Sequence, residues 1–277
     1  MSEQGVIAQT KTPLTVESLA AHLADCGLSA GQTVLVHSAM SKIGWIAGGP
    51  EAVILALLQV LGPQGTLMMP AHTASNTDPA NWQNPPVPPD WIPVIRAQSP
   101  AYNPATTPTR EMGVIAELFR TWPGVMRSAH PIGSFAALGP NAPTLTADHR
   151  LEDMFGDSSP LGKLYAMDGY VLLLGVGHGN NTSLHLAESR ATWPGKHTIH
   201  EGTAMLVNGV RQWVDFEMLH WHDDDFEVIG AFHEGEQGYQ PRMIGNATVR
   251  FFRQRPIVDF AVQWMQQNRD FTRTGTS

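Results

Sequence analysis

The stretch YVLLLGVGHGNNTSLHLAE, residues 170–188, decides how the rest of the chain is read. The unbroken apolar run from Tyr170 to Leu174 has the length of a strand buried on both faces. Gly175 and Gly177 then permit a tight turn. Asn180, Asn181 and Thr182 can each cap a helix, and helix-forming residues follow. Strand, glycine turn and helix together are the grammar of an α/β nucleotide site. The dinucleotide pattern, however, requires a third glycine three residues after the second, and Asn180 stands there. The chain beyond the helix reads TWPGKHTIHEGTA, where no second strand ending in an acidic residue is evident. What the stretch provides instead is a platform for His185. Just past a strand's carboxyl end, that residue lies at the sheet edge where α/β proteins hold ligands. The partial positive charge of a helix N-terminus favours neutral imidazole, the form a general base needs. Glu188 and Ser189, three and four residues on, share its helix face, and Glu188 is placed to orient the ring.

Working outward, TVLVHS (33–38), GTLMMP (65–70) and SFAALG (134–139) read as further strands. GGPEAVILALLQVLG (48–62) reads as a helix with Pro50 in its first turn and Gly62 at its end, so the strands on either side of it are expected to be parallel neighbours. TVESLAAHLADCGL (15–28) is a helix with Thr15 as N-cap. REMGVIAELFRTW (110–122), SPLGKLYAMDG (159–169), DDDFEVIGAF (223–232) and RPIVDFAVQWMQQNR (255–269) are further helices. TAMLVNGVRQWVDF (203–216) predicts a hairpin turning at Asn208–Gly209. Residues 71–110 are dense in proline, include Trp82 and Trp91, and keep no period, as expected of a long loop that forms a lid or binding wall. The expected fold is α/β: a mixed, largely parallel central sheet flanked by helices, with a smaller antiparallel appendage. We expect a single domain over residues 1–277, with the loop 71–110 and a late region of about 197–245 on the substrate side.

The 277 residues are 42% hydrophobic and carry a net charge of −8, which argues against a nucleic-acid partner. With Cys26 alone no internal disulfide can form. There is no basic-then-apolar leader and no apolar run of ~18 residues, so the expectation is a cytoplasmic protein that does not enter a membrane. The chain lacks G-x-S-x-G, H-E-x-x-H and phosphate-loop patterns, and Cys26 suits core packing better than nucleophilic attack. HWHDDD (220–225) leaves a metal-dependent hydrolase as the alternative from another class, although three aspartates equally suit a helix start.

Seven further pieces carry a resemblance: VLVHSAMSKIGWIAGGP, LGPQGTLMMPAHT, NTDPANW, YNPATTPTREMGVIAELFR, RSAHPIGSFAALG, SPLGKLYAMDGYVLLLGVGHGNNTSLHLAE and the late DDDF. In this order the chain resembles the aminoglycoside 3-N-acetyltransferases, an acetyl-CoA-dependent family distinct from the GNAT enzymes. The resemblance implies direct acetyl transfer from acetyl-CoA to an aminoglycoside amine, the 3-amino group, with a histidine general base and no metal. It places that base in NTSLHLAE at His185, with Glu188 beside it, and brings His37 near the thioester. Ser38, Ala39, Lys42, Ile43 and Gly44 would border the cofactor. Thr73, Thr107, Thr109, Met112 and Gly113 would offer hydroxyl and N–H donors, with Ser38 or Thr73 facing the developing oxyanion and Arg110 or Arg127 a phosphate. Asn76, Asp78, Glu217, His220 and Asp223 are expected on the acceptor side. The family's usual pair of carboxylates upstream of its DDF element falls here on Met218 and His220, which implies a narrower acceptor range and leaves another amine metabolite as an alternative substrate. The expected assembly is a monomer or homodimer.

Overall fold

The computed structural model describes residues 3–272. Its strands are β1 (Thr33–Ser38), β2 (Thr66–Pro70), β3 (Met126–Arg127), β4 (Phe135–Leu138), β5 (Tyr170–Leu174), β6 (Thr198–Val207), β7 (Val210–Leu219), β8 (Arg242–Ile244) and β9 (Ala247–Arg253). The helices are α1 (Glu3–Gln9), α2 (Val16–Asp25), α3 (Met40–Ile43), α4 (Gly49–Leu61), α5 (Ile92–Gln98), α6 (Gly113–Phe119), α7 (Ala142–Thr146), α8 (Pro160–Ala166), α9 (Ser183–Arg190), α10 (Phe226–Gln237) and α11 (Gln254–Asn268). Thr15 caps α2 as expected, in a reciprocal box with Ser18.

Seven strands form one sheet in the order β3-β4-β2-β1-β5-β9-β8. The crossover through α4 makes β1 and β2 parallel neighbours, and β5 joins β1 in parallel on the other side, with His37 opposite Leu173 and Ser38 opposite Leu174. The sheet is mixed, as expected, but its parallel part is narrower than expected and confined to these three strands. β4 pairs antiparallel with β2, β3 with β4, β9 with β5 and β8 with β9. The β8–β9 pair is antiparallel because the two strands form a hairpin turning at Gly245–Asn246. Both faces of the centre are covered, which is why its strands read as apolar runs. Val34 and Val36 of β1 point into a cluster with residues of α2, α4 and α6, while Leu35 between them points into a second cluster with α8, α9 and α11.

The appendage is the β6–β7 hairpin, whose Asn208 (φ 51°) and Gly209 (φ 79°) both adopt the left-handed backbone of a tight two-residue turn. Residues 71–110 pack against it and contain α5, which the proline-dense sequence did not lead us to expect. Tyr102 donates its N–H to the Ala204 carbonyl (2.8 Å), and Arg211 binds the Ser99 and Arg96 carbonyls. A buried Asp78 pairs with Arg96 at 2.6 Å. At the other end of the segment the Arg127 guanidinium donates to the carbonyls of Thr107 (2.5 Å) and Ala71 (2.6 Å) and to the hydroxyls of Thr73 (2.9 Å) and Ser134 (3.0 Å). The segment is therefore tied to the sheet and to the hairpin along its length.

Two buried histidines, with ring centroids 4.7 Å apart, shape the connection from β4 to α8. His130 Nδ1 accepts the N–H groups of Ile132 (3.1 Å) and Gly133 (3.0 Å), and its Nε2–H meets the Leu151 carbonyl at 3.1 Å. His149 Nε2 lies 2.8 Å from the Met154 carbonyl, and its Nδ1 lies 2.9 Å from the Ser128 hydroxyl. Each ring thus uses one nitrogen as donor and one as acceptor, which requires the neutral form. Burial above all holds His130, His149 and also His37 down to about 3. The unfolded chain, with ordinary histidines near 6.5, therefore binds protons first as pH falls, and the native state is penalised from there down to about pH 3. Urea titrations between pH 7.5 and 5 should show stability falling with pH, each such histidine contributing up to ~1.4 kcal/mol per pH unit below its unfolded value. A midpoint constant over that range would show that these rings are not held neutral in the folded protein.

Candidate active site

Because β1, β2 and β5 are parallel, their carboxyl ends emerge on one edge of the sheet, and there they open into a cavity of about 280 Å³. His185 reaches it from the first turn of α9. Of the three expected caps, Thr182 holds the N-cap position without a capping side-chain bond, and the Asn181 side-chain oxygen before it accepts from Ser183 N–H at 3.2 Å. The His185 Nδ1 lies 2.8 Å from Glu188 Oε2, the two residues being one helical turn apart. Glu188 has no exposed surface, and its Oε1 accepts from the His222 backbone N–H (2.8 Å) and Arg269 Nη1 (2.8 Å). A carboxylate so surrounded by donors is ionised and can only accept. In the neutral ring the proton therefore sits on Nδ1, and Nε2 carries the lone pair. Among the described residues Nε2 has no hydrogen-bond partner. Phe155 stacks on the ring at 4.8 Å and 10°, and Trp221 and Phe226 meet it edge-on, so the imidazole is held in an aromatic slot.

His37, at the end of β1, lines the same cavity and is hydrogen-bonded to the Thr182 hydroxyl at 3.2 Å. Burial, and next the proximity of His185, keeps its ring neutral. His72, just past β2, lies against Phe135 and Phe155 and is also kept far below the ordinary histidine range by burial, with His37 the next cause. Its Nε2 is buried without a partner.

On the expected cofactor side, Ser38 and Met112 line the cavity, Thr109 and Gly113 continue it in a surface groove, and Lys42 lines a further groove with Gly175 and Gly177. Ala39 N–H is taken by the Leu174 carbonyl (3.0 Å). Ile43 is wholly buried and Gly44 faces Thr10, so neither is presented to the cavity. The expected hydroxyls are engaged by the chain: Thr109 donates to Glu117 (2.7 Å), Thr107 accepts from Asn103 N–H (2.9 Å), and the buried Thr73 accepts from Arg127 (2.9 Å). Arg127 meets neither a phosphate-sized opening nor a carboxylate, since its donors are spent on carbonyls and hydroxyls. Arg110 is exposed beside Glu111 (3.7 Å).

On the expected acceptor side the structure brings Asp223 to the cavity. Asn76 binds the Pro131 carbonyl (3.2 Å), and Asp78 is consumed by Arg96, so both stabilise the junction of segment and hairpin. Glu217 is exposed next to His200 (3.4 Å). His220 lines a separate cavity of about 650 Å³ with His197 and His222. Met218 is 8% exposed and packs in the core, because it occupies the inward register of β7. A carboxylate placed there would be buried in the core rather than offered to a ligand. The HWHDDD residues diverge: Asp223 faces the first cavity, Asp224 the second, and Asp225 pairs with Arg269 (2.7 Å). No cluster suited to a metal forms among the described residues. His72, Phe155, Trp221, Phe226 and Arg269 are site residues that local sequence did not single out. His72 stood in the quoted PAHT, directly after a strand end, but Arg269 has no local pattern at all.

The family model for aminoglycoside 3-N-acetyltransferase matches residues 35–266. The chain is 42% identical over 264 residues to the SPbeta prophage-derived aminoglycoside N(3')-acetyltransferase-like protein YokD of Bacillus subtilis, covering 95% of this chain and 96% of that protein. The crystal structure of YokD superposes with a TM-score of 0.93 over 96% of this chain and 98% of that one, at 41% identity. AAC-IIIb, solved as a binary complex with CoASH, is 33% identical with a TM-score of 0.82, over 94% of this chain and 99% of that one. AAC-VIa, solved bound to sisomicin, is 28% identical with a TM-score of 0.81, over 92% and 98%. In sequence and architecture together, the chain belongs to the aminoglycoside 3-N-acetyltransferase family.

Proposed function

We propose that this acetyl-CoA-dependent acetyltransferase acetylates an aminoglycoside by direct transfer, with His185 as general base and the 3-amino group as acceptor. The observation that carries the reading is the His185–Glu188 pair (2.8 Å), set in an aromatic slot with Nε2 unpartnered at the cavity on the sheet's carboxyl edge. The acceptor class and its position rest on family membership and on the relatives solved with CoASH and sisomicin.

The residues fit such a co-substrate. Ser38, Lys42, Met112 and Gly113 border the cavity and its two adjoining grooves, and Gly175 (φ 74°) keeps one groove open where a Cβ would come within 2.9 Å of Lys42. Acetyl-CoA, when bound, supplies an acyl carbonyl activated as a thioester. The chain's part is proton management. An ammonium group has no lone pair to attack with, so His185 Nε2 first takes a proton from it, directly or through one water. Glu188 accepts the Nδ1–H throughout and balances the imidazolium that forms. Phe155, Trp221 and Phe226 exclude water from the ring and so strengthen that pairing. Neutral His37 and His72 add no positive charge that would repel an ammonium. As the C–S bond breaks, His185 returns its proton to the departing sulfur, and the second proton of the acylated nitrogen is released to solvent, leaving a neutral amide. With Thr73 enclosed, Ser38 is the hydroxyl at the cavity that can face the developing negative charge. With Met218 in the core and His220 in the second cavity, neither offers a carboxylate to the acceptor, and ammonium binding falls to Asp223 and Glu111 on the first cavity, an arrangement that supports a narrow acceptor range.

His185→Gln should lower kcat by ~10²–10⁴ while acetyl-CoA affinity, measured by calorimetry, stays within about twofold. Parental turnover in that variant would remove His185 from the chemistry. A polycationic acceptor should also lose affinity several-fold as salt rises from about 0.05 to 0.5 M, because screening shortens the reach of exposed carboxylates. Asp223→Asn should weaken acceptor binding at low salt and flatten that dependence. An acceptor affinity independent of salt would speak for an uncharged or singly charged amine.

A further inference from the structure

Arg269 follows α11 and lies just beyond residues 35–266, the part matched by the family model. Its side chain is 1% exposed, although an arginine is among the residues most costly to bury. Four of its five N–H donors are directed. Nη1 gives a hydrogen bond to Glu188 Oε1 (2.8 Å), Nε and Nη2 form a fork on the two Asp225 oxygens (2.8 and 2.7 Å), and Nη2 also reaches the His222 carbonyl (3.0 Å). The second Glu188 oxygen belongs to His185. A continuous line of charge-assisted bonds, Asp225–Arg269–Glu188–His185, therefore runs from the second cavity to the first.

We infer that Arg269 is a positioning residue for acetyl transfer: it holds the buried Glu188 carboxylate ionised and fixed, so that His185 keeps its proton on Nδ1 and presents Nε2 to the acceptor. This rests on His185 being the general base. The planar fork fixes direction as well as charge, which a lysine ammonium does not. The sign of the electrostatic effect is set by the geometry. Taking a positive charge away from the His185–Glu188 pair raises the pair's affinity for a proton, whichever partner receives it. The other ionisable groups around the pair are His37, His72, Asp223 and Glu111 from the cavity side, His220 and His222 from the segment after β7, Asp225 ahead of α10, and Lys196 after α9. Lys196 is spent on the carbonyls of Glu188, Ser189 and Ala191 (2.9, 2.8 and 2.6 Å), so Arg269 is the cation that touches the carboxylate itself.

The test compares the parent with His185→Gln, Arg269→Gln and Asp225→Asn, each checked for folding by circular dichroism and for acetyl-CoA binding by calorimetry, with kcat and kcat/KM followed from about pH 5.5 to 9. In folded Arg269→Gln the acid limb should move up by about one pH unit, so that kcat at pH values below the parental limb falls about tenfold, while the KM for acetyl-CoA stays within about twofold. If Arg269→Gln does not fold, Asp225→Asn carries the test. With the outer carboxylate neutralised, the Arg269 charge acts on Glu188 alone, and the limb should move down by about half a unit. A folded Arg269→Gln with the parental limb and kcat, even with lowered stability, overturns the proposal by showing a purely structural arginine. An unmoved limb in Asp225→Asn does the same where that variant must stand in. Parental turnover in His185→Gln would instead bring down the general-base reading and this proposal with it.

Discussion

Glu188 is a carboxylate without exposed surface, and the groups that keep it charged come from distant parts of the chain: a backbone N–H at His222 and a guanidinium at Arg269. A lone carboxylate there would cost several kcal/mol and would take up a proton instead. The connection between β7 and α10 and the end of α11 must therefore meet α9 at one point. That meeting also closes the aromatic slot, since Trp221 and Phe226 flank His222 in sequence. The same packing that satisfies Glu188 thus fixes the tautomer and the surroundings of His185.

The parallel centre of the sheet supplies the other half of the site. Three strands ending on one edge place His37, His72 and His185 around a single cavity, although they are far apart in sequence. Burial keeps His37 and His72 neutral, which suits an acceptor that arrives as a cation. His130 and His149, deeper in the fold, do structural work with the same chemistry: each neutral ring pairs one donor and one acceptor and clamps the loop that carries Phe155 under His185.

Segment 71–110 shows how a polar residue in a binding wall can be structural. Arg127 and Arg96 draw in Thr73, Thr107 and Asp78, residues whose type and position would equally suit a ligand. Their polar atoms are satisfied by the chain, since buried polar groups must find partners. Asp223, by contrast, carries a carboxylate to the cavity rim.

Much of this was legible along the chain. The apolar runs at Val34–Val36, Leu67–Met69 and Val171–Leu174, the crossover helix at Gly49–Leu61 and the Asn208–Gly209 turn are local patterns, set by side-chain periodicity and backbone sterics. His185 and Glu188 were legible too, because a spacing of three on a helix brings two side chains together whatever the rest of the fold does. Strand direction beyond the centre was not. The run ATVRFFR alternates like a strand, but its antiparallel place beside β5 is set by long-range pairing. The inward register of Met218 and the occupation of Thr73 by Arg127 likewise depend on long-range pairing. Arg269 is the limiting case. Its sequence neighbourhood, QQNRDF, describes a polar helix end, and its role follows from an ion pair with a residue 81 positions away. Local sequence determines which groups can exist on a helix or strand. The energetic demand that buried charge be compensated is met only when the whole chain is folded, and it is the tertiary structure that decides which group meets it.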